Sequence, residues 1–195
     1  MIKRLAVILI FIGLIFSSSY AQKLQYGLSF GYSVAGISSR PWIDEELVYG
    51  LCGGIVVNYL LNKKLAVHSG LLYLKKGVDG VLSSWGLLPV VTPIHMRVEY
   101  LELPIVLKYN LIRNLYFGAG PYLALKINGE LTLSQDEERY DLIKHIDVGY
   151  VLVGGIDFEL LRKKHFIEVR FSRGTTSVVA DRHNMVLACI YGIYF

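Results

Sequence analysis

Residues Tyr100 to Lys126, YLELPIVLKYNLIRNLYFGAGPYLALK, restrict the fold more than any other stretch of the chain. In the first arm Leu101, Leu103, Ile105, Leu107 and Tyr109 take every second place, with Glu102, Pro104, Val106 and Lys108 between them. In the second arm Leu115, Phe117, Ala119, Pro121, Leu123 and Leu125 share one face. Tyr116, Gly118, Gly120, Tyr122, Ala124 and Lys126 share the other. Alternation of this kind is the mark of a strand with two different faces. Asn110 to Asn114 make a short polar turn, so the two arms read as one hairpin. A continuous apolar face is set against a face carrying charge. In a soluble sandwich the apolar face would be the core; in a membrane barrel it would face lipid and the charges would face inward.

The same pattern recurs in eight strand-like stretches. They are Leu24 to Ile37, Tyr49 to Leu60, Leu65 to Lys76, the two arms above, Asp147 to Glu159, His165 to Ser172 and Asn184 to Phe195. Short connections join the second to the third, the fourth to the fifth and the sixth to the seventh. Longer ones are expected over about Ser38 to Val48, Gly77 to Met96, Ile127 to Ile146 and Arg173 to His183. Short turns at one end and long loops at the other predict an all-β, eight-stranded, antiparallel up-and-down transmembrane barrel. An even strand count puts both termini at the short-turn end, expected to be periplasmic.

Residues 1–21 read as a signal peptide: Lys3 and Arg4, an apolar core from Leu5 to Phe16, then Ser19-Tyr20-Ala21 before Gln22. Residues 22–195 then form one barrel domain. Without Lys3 and Arg4 the chain carries 18 basic and 16 acidic residues. It is therefore nearly neutral, and no basic cluster speaks for nucleic acid. After Ala21 no apolar run reaches the roughly 18 residues of a membrane helix.

Two observations favour lipid over a soluble core. The outward faces keep charge away from the strand middles, with Lys75 and Glu99 near the long connections. The inward faces carry His68, Lys76, Glu102, Lys108, Lys126, Asp147, Asp157, Glu168 and Arg170. The outward aromatics also sort into two rings: Tyr26, Tyr59, Tyr109, Phe117, Phe158 and Phe195 toward the short turns, and Tyr32, Tyr49, Tyr73, Tyr150 and Phe171 toward the long connections. Tyrosine suits a membrane interface because its ring can sit in hydrocarbon while its hydroxyl stays wet. Cys52 points inward and Cys189 outward from strands that are not neighbours, so both read as small fillers without a disulfide.

The chain resembles the PorT-like outer-membrane β-barrel family of Gram-negative bacteria. The resemblance lies in YLELPIVLKY at Tyr100 to Tyr109 and FGAGPYLAL at Phe117 to Leu125. Val67 to Tyr73 with Lys75-Lys76-Gly77, FIEVRFSRG at Phe166 to Gly174 and the closing YGIYF are also similar. It implies a signal peptide, an eight-strand barrel and an outer-membrane location. One namesake member takes part in secretion across that membrane.

The expected site is structural: Glu102, Lys108, Asp157, Glu168, Arg170 and His68 form a charge network that fills a lumen too narrow for a channel. Glu102 and Lys108 stand about 20 Å apart at 3.3 Å per residue on one strand and must find partners elsewhere. No catalytic residue, cofactor or metal is expected, and the chain reads as non-enzymatic, with a role in envelope structure, assembly or secretion. Expected partners are outer-membrane lipid, the insertion machinery through the Phe195 end, and envelope or secretion proteins through the long loops. Two rival readings stand beside this one. A lipid-modifying enzyme would use Ser172, His145 and Asp147 at the rim. A lipocalin-like barrel would need an apolar lumen for a small ligand. Asp136, Glu137, Glu138 and Asp141 form an acidic loop that reads as solvated in preference to calcium-binding.

Overall fold

The computed structural model describes residues 24–38, 45–84, 90–112, 114–133, 145–176 and 183–195. The expected signal peptide and the acidic loop at 136–141 lie outside them. Among the described residues there are nine strands and no helix. They are β1 (Leu24–Ser38), β2 (Glu45–Glu46), β3 (Val48–Leu60), β4 (Leu65–Ser84), β5 (Val90–Asn110), β6 (Leu115–Leu133), β7 (Ile146–Leu160), β8 (Lys163–Gly174) and β9 (His183–Tyr194).

The eight long strands pair antiparallel in chain order, and β1 pairs with β9 from Gly27↔Tyr194 to Ser38↔His183. That ladder closes the sheet, so the fold is an eight-stranded up-and-down barrel without free edges. The two-residue β2 adds to the far part of β4 at Glu45↔Gly80.

Alternation decides which side chains point where. Val106, Val151 and Glu102 are buried in the lumen, while their neighbours Leu103, Ile105 and Leu152 stand exposed on the outside. Tyr26, Tyr109, Phe117 and Phe195 are exposed at the short-turn end, and Tyr32, Tyr49 and Tyr150 toward the other. Lys75 and Glu99, two of the charges on the outward faces, are cross-strand partners with Nζ 3.4 Å from Oε1. Cys52 is buried and Cys189 exposed, and both are free thiols.

Three local departures follow from backbone chemistry. Pro104 has no N–H, and the β4–β5 ladder is interrupted between Ser69↔Ile105 and Leu72↔Glu102. The Ser69 hydroxyl donates to the Pro104 carbonyl at 2.7 Å across that gap. A register shift opposite Glu99 and Tyr100 leaves Ile127 as an extra residue on β6, a bulge near the long-connection end. The turn between β7 and β8 is Leu161–Arg162, with φ of 52° and 61°. Two successive left-handed residues fit a type I′ hairpin, where Asn-Gly is the easy sequence. Leucine and arginine there cost on the order of 1–3 kcal/mol each.

The expected long connection over Gly77 to Met96 is mostly strand. The β4–β5 ladder continues from Gly77↔Arg97 to Ser84↔Val90, and β6 likewise runs on to Leu133. The backbone ladder therefore continues where the two-residue hydrophobic period of the sequence lapses.

Candidate functional site

Eight strands enclose just enough space for side chains, and glycines on the walls make room for large ones. A Cβ on Gly192 would stand 2.1 Å from the Phe166 ring, and one on Gly155 would stand 2.5 Å from the Tyr116 hydroxyl. These two rings therefore lie directly on bare backbone. With Tyr100, Tyr122 and Tyr194 they form the walls against which the buried charges are held.

The charges divide into two clusters at different depths. The first lies toward the long connections. Lys76 Nζ of β4 is 2.9 Å from Asp147 Oδ2 of β7, on the far side of the lumen. It is also 3.0 Å from Glu102 Oε2 of β5, a contact of charges whose angle falls outside hydrogen-bond geometry. Asp147 accepts further bonds from Tyr122 at 3.1 Å, Asn184 at 3.1 Å and Thr176 at 2.8 Å. The Lys76 ammonium also sits 4.3 Å from the centroid of the Tyr122 ring, an attraction that strengthens when water is excluded.

The second cluster lies nearer the short turns. Lys108 Nζ of β5 is 3.0 Å from Glu168 Oε2 of β8, and the Tyr116 hydroxyl donates to the same oxygen at 2.9 Å. Arg170, two places along β8 on the same face, gives Nε and Nη2 to Glu168 Oε1 at 3.2 and 2.9 Å. Lys108 also lies 4.0 Å from the Tyr116 ring centroid. His68 stands beside this cluster, with Nδ1 3.3 Å from the Tyr194 hydroxyl and its ring edge-on to Phe166.

Lys76, Lys108 and Arg170 thus face Glu102, Asp147 and Glu168 among the described residues. All six side chains are nearly or fully buried. Paired in this way, the charges escape most of the cost that isolated ions would meet in such a place. A cavity of about 10 Å³ remains between the clusters, bordered by Glu102, Arg170, Cys52 and Ser172. It has room for about one water molecule.

Of the residues expected in the network, Lys108, Glu168 and Arg170 are in direct contact, and Glu102 joins the other cluster through Lys76. Asp157 lies apart: it pairs with Lys164 at 2.9 Å at the short-turn mouth, where both are partly exposed. His68 contacts the Tyr194 hydroxyl and makes no ion pair in the described network. Lys76 and Asp147 were inward by alternation but absent from the expected set; their pairing depends on closure of the barrel, which no single strand reveals. The rim residues Ser172, His145 and Asp147 differ in exposure. Ser172 and Asp147 are buried, whereas His145 is exposed. Among the described residues no group of three His, Cys, Asp or Glu side chains is spaced for a metal ion.

Comparison with known proteins agrees with this architecture. The sequence profile described as outer membrane protein beta-barrel domain matches residues 19–179. Ail, the attachment invasion locus protein of Yersinia pestis, is a structural neighbour with TM-score 0.51 and 12% identity, covering 89% of this chain and 99% of that chain. Neisserial surface protein A (NspA) has TM-score 0.49 and 10% identity over 87% of this chain and 97% of its own. OprG from Pseudomonas aeruginosa has TM-score 0.42 and 14% identity over 88% and 94%. At 12% identity the likeness to Ail speaks for the fold alone. No curated protein matches the chain. The family profile spans most of the sequence, and this eight-stranded chain belongs to the outer membrane protein beta-barrel domain family.

Proposed function

We propose that this protein is a sealed, non-enzymatic barrel of the outer membrane that serves envelope structure, assembly or secretion in the PorT-like manner. The observation that carries this reading is the filled lumen. Between the two cross-lumen ion clusters and their tyrosine walls, the described residues border a cavity of only about 10 Å³. A pore needs a continuous aqueous path, and a ligand-binding barrel needs an apolar chamber of hundreds of Å³. Neither fits this interior. Rim catalysis is disfavoured because Asp147 is engaged by Lys76, Tyr122, Asn184 and Thr176, while His145 is exposed.

The outward apolar face meets outer-membrane lipid in this reading. Both termini lie on the periplasmic side, and the closing strand with Phe195 is what the insertion machinery engages. The long connections are then the surface offered to envelope or secretion proteins. Reconstitution into planar bilayers tests the sealed lumen: the protein is expected to insert without stepwise conductance. Stable conductance steps proportional to salt would overturn the proposal. A deletion strain with altered secretion or envelope integrity would identify which of these roles it serves.

A further inference from the structure

The short-turn end carries a feature that neither the barrel nor its filled lumen requires. Leu161 is 88% exposed, in a left-handed conformation that leucine resists, and Arg162 beside it is left-handed too. The β3–β4 turn needs no left-handed residue and is held by a polar side chain: Asn62 Oδ1 accepts from the Lys64 and Leu65 amides at 2.8 Å each. At the β7–β8 turn the sequence keeps an apolar and a cationic side chain at the tip, against the backbone's preference. An outlier of this kind points to a role for those side chains.

A groove of about 360 Å³ opens beside this turn, lined by Gln25, Arg162, Lys163, Lys164, Tyr194 and Phe195. It passes over the rim, because Tyr194 and Lys164 belong to the inward faces and Phe195 to the outward one. Lys163 Nζ sits 4.7 Å from the centroid of the exposed Phe195 ring. Lys164 is engaged by Asp157, which leaves Arg162 and Lys163 as the cations with no ion pair in the described contacts. The groove is continuous with the exposed apolar band through Phe195 and Tyr26, whose carbonyl accepts from the Phe195 amide.

We propose that this groove is a binding site for the headgroup of an anionic glycerophospholipid. The phosphate lies between Arg162 and Lys163, the acyl chains run up the outward face past Phe195, and Leu161 dips into the same leaflet beside the headgroup. At about 360 Å³ the groove falls at the small end of the range of ligand sites, and its charge is complementary to a phosphodiester. Cations at a membrane interface, with an apolar stem beside an aromatic ring, suit the boundary between headgroup and hydrocarbon. The site rests on the membrane-embedded reading, and it adds a defined lipid class and the residues that select it.

The test uses the full chain in nanodiscs holding equal phosphatidylglycerol and phosphatidylethanolamine, with retained lipid counted by native mass spectrometry. The wild type is expected to keep phosphatidylglycerol preferentially, by about fivefold for each cation engaged, with the preference weakened by salt. The variant L161N/R162G/K163Q is expected to lose that preference. It should also refold in neutral detergent at least as well as wild type, since Asn-Gly suits the turn. Equal retention of the two lipids by wild type, or an unchanged preference in the variant, would overturn the site. Sedimentation with purified peptidoglycan that depends on these residues, without lipid preference, would overturn it in favour of the cell wall. Failure of wild type to enter the nanodisc would instead defeat the membrane reading beneath it.

Discussion

Lys108 on β5 reaches across the lumen to Glu168 on β8, Nζ to Oε2 3.0 Å, although neither strand is hydrogen-bonded to the other. The contact acts as a strut between opposite walls. Lys76 and Asp147 make a second strut between β4 and β7. Together they span the lumen at two depths.

Removing the shared acceptor should therefore be costly. Glu168→Gln leaves Lys108 and Arg170 buried without their carboxylate, and breaking such a set costs about 3–5 kcal/mol. The denaturant midpoint of the barrel in lipid vesicles should fall accordingly. A midpoint equal to wild type would show that the network contributes nothing to stability.

Lys75 and Lys76 are sequence neighbours with opposite expected outcomes. Lys75 is 43% exposed by side chain and pairs with Glu99 on the outside, so Lys75→Ala should change stability by no more than about 1 kcal/mol. Lys76 is 1% exposed and pairs with Glu102 and Asp147; Lys76→Ala should cost about 3–5 kcal/mol by stranding two carboxylates. Equilibrium unfolding of the two variants side by side reads the difference.

Gly192→Ala tests the packing of the lumen. Its new methyl would overlap the Phe166 ring, which lies against Tyr194 with centroids 5.0 Å apart. Overpacking of this kind costs typically about 1–3 kcal/mol, and a lowered unfolding midpoint should record it. Phe166→Leu in the same chain should recover part of the loss.

On the outward face, Ile105→Arg should cost roughly 2–4 kcal/mol if the position lies near the bilayer midplane. The penalty should shrink in detergent micelles that let the guanidinium reach water. An equal penalty in both media would argue for a crowding effect and against lipid.

Strand positions and inside-outside assignments were legible because the period of two is written wherever one face meets lipid and the other a filled lumen. Leu103 against Glu102 and Leu152 against Val151 follow from it directly. The continuation of β4 and β5 past Lys76 and Tyr100 was not legible, since the sequence there lacks the alternation that marks a strand although the backbone ladder goes on. The Ile127 bulge was hidden for a related reason: alternation reads well on either side of an inserted residue. The partners of Lys76 and Lys108 were beyond reach because they lie across the lumen, set by closure and register of the whole sheet. Asp157 shared the inward parity of the network residues, but its depth at the short-turn mouth gave it to Lys164.

If the apolar face of this barrel meets lipid and its charged face fills the lumen, the protein cannot leave the membrane without a substitute for lipid. Membrane fractionation of the wild-type protein is the decisive measurement. The protein should stay in the membrane pellet through high salt and alkaline washing, leave only with detergent, and then migrate as a heat-modifiable folded barrel. Recovery of a folded monomer in plain buffer would contradict it.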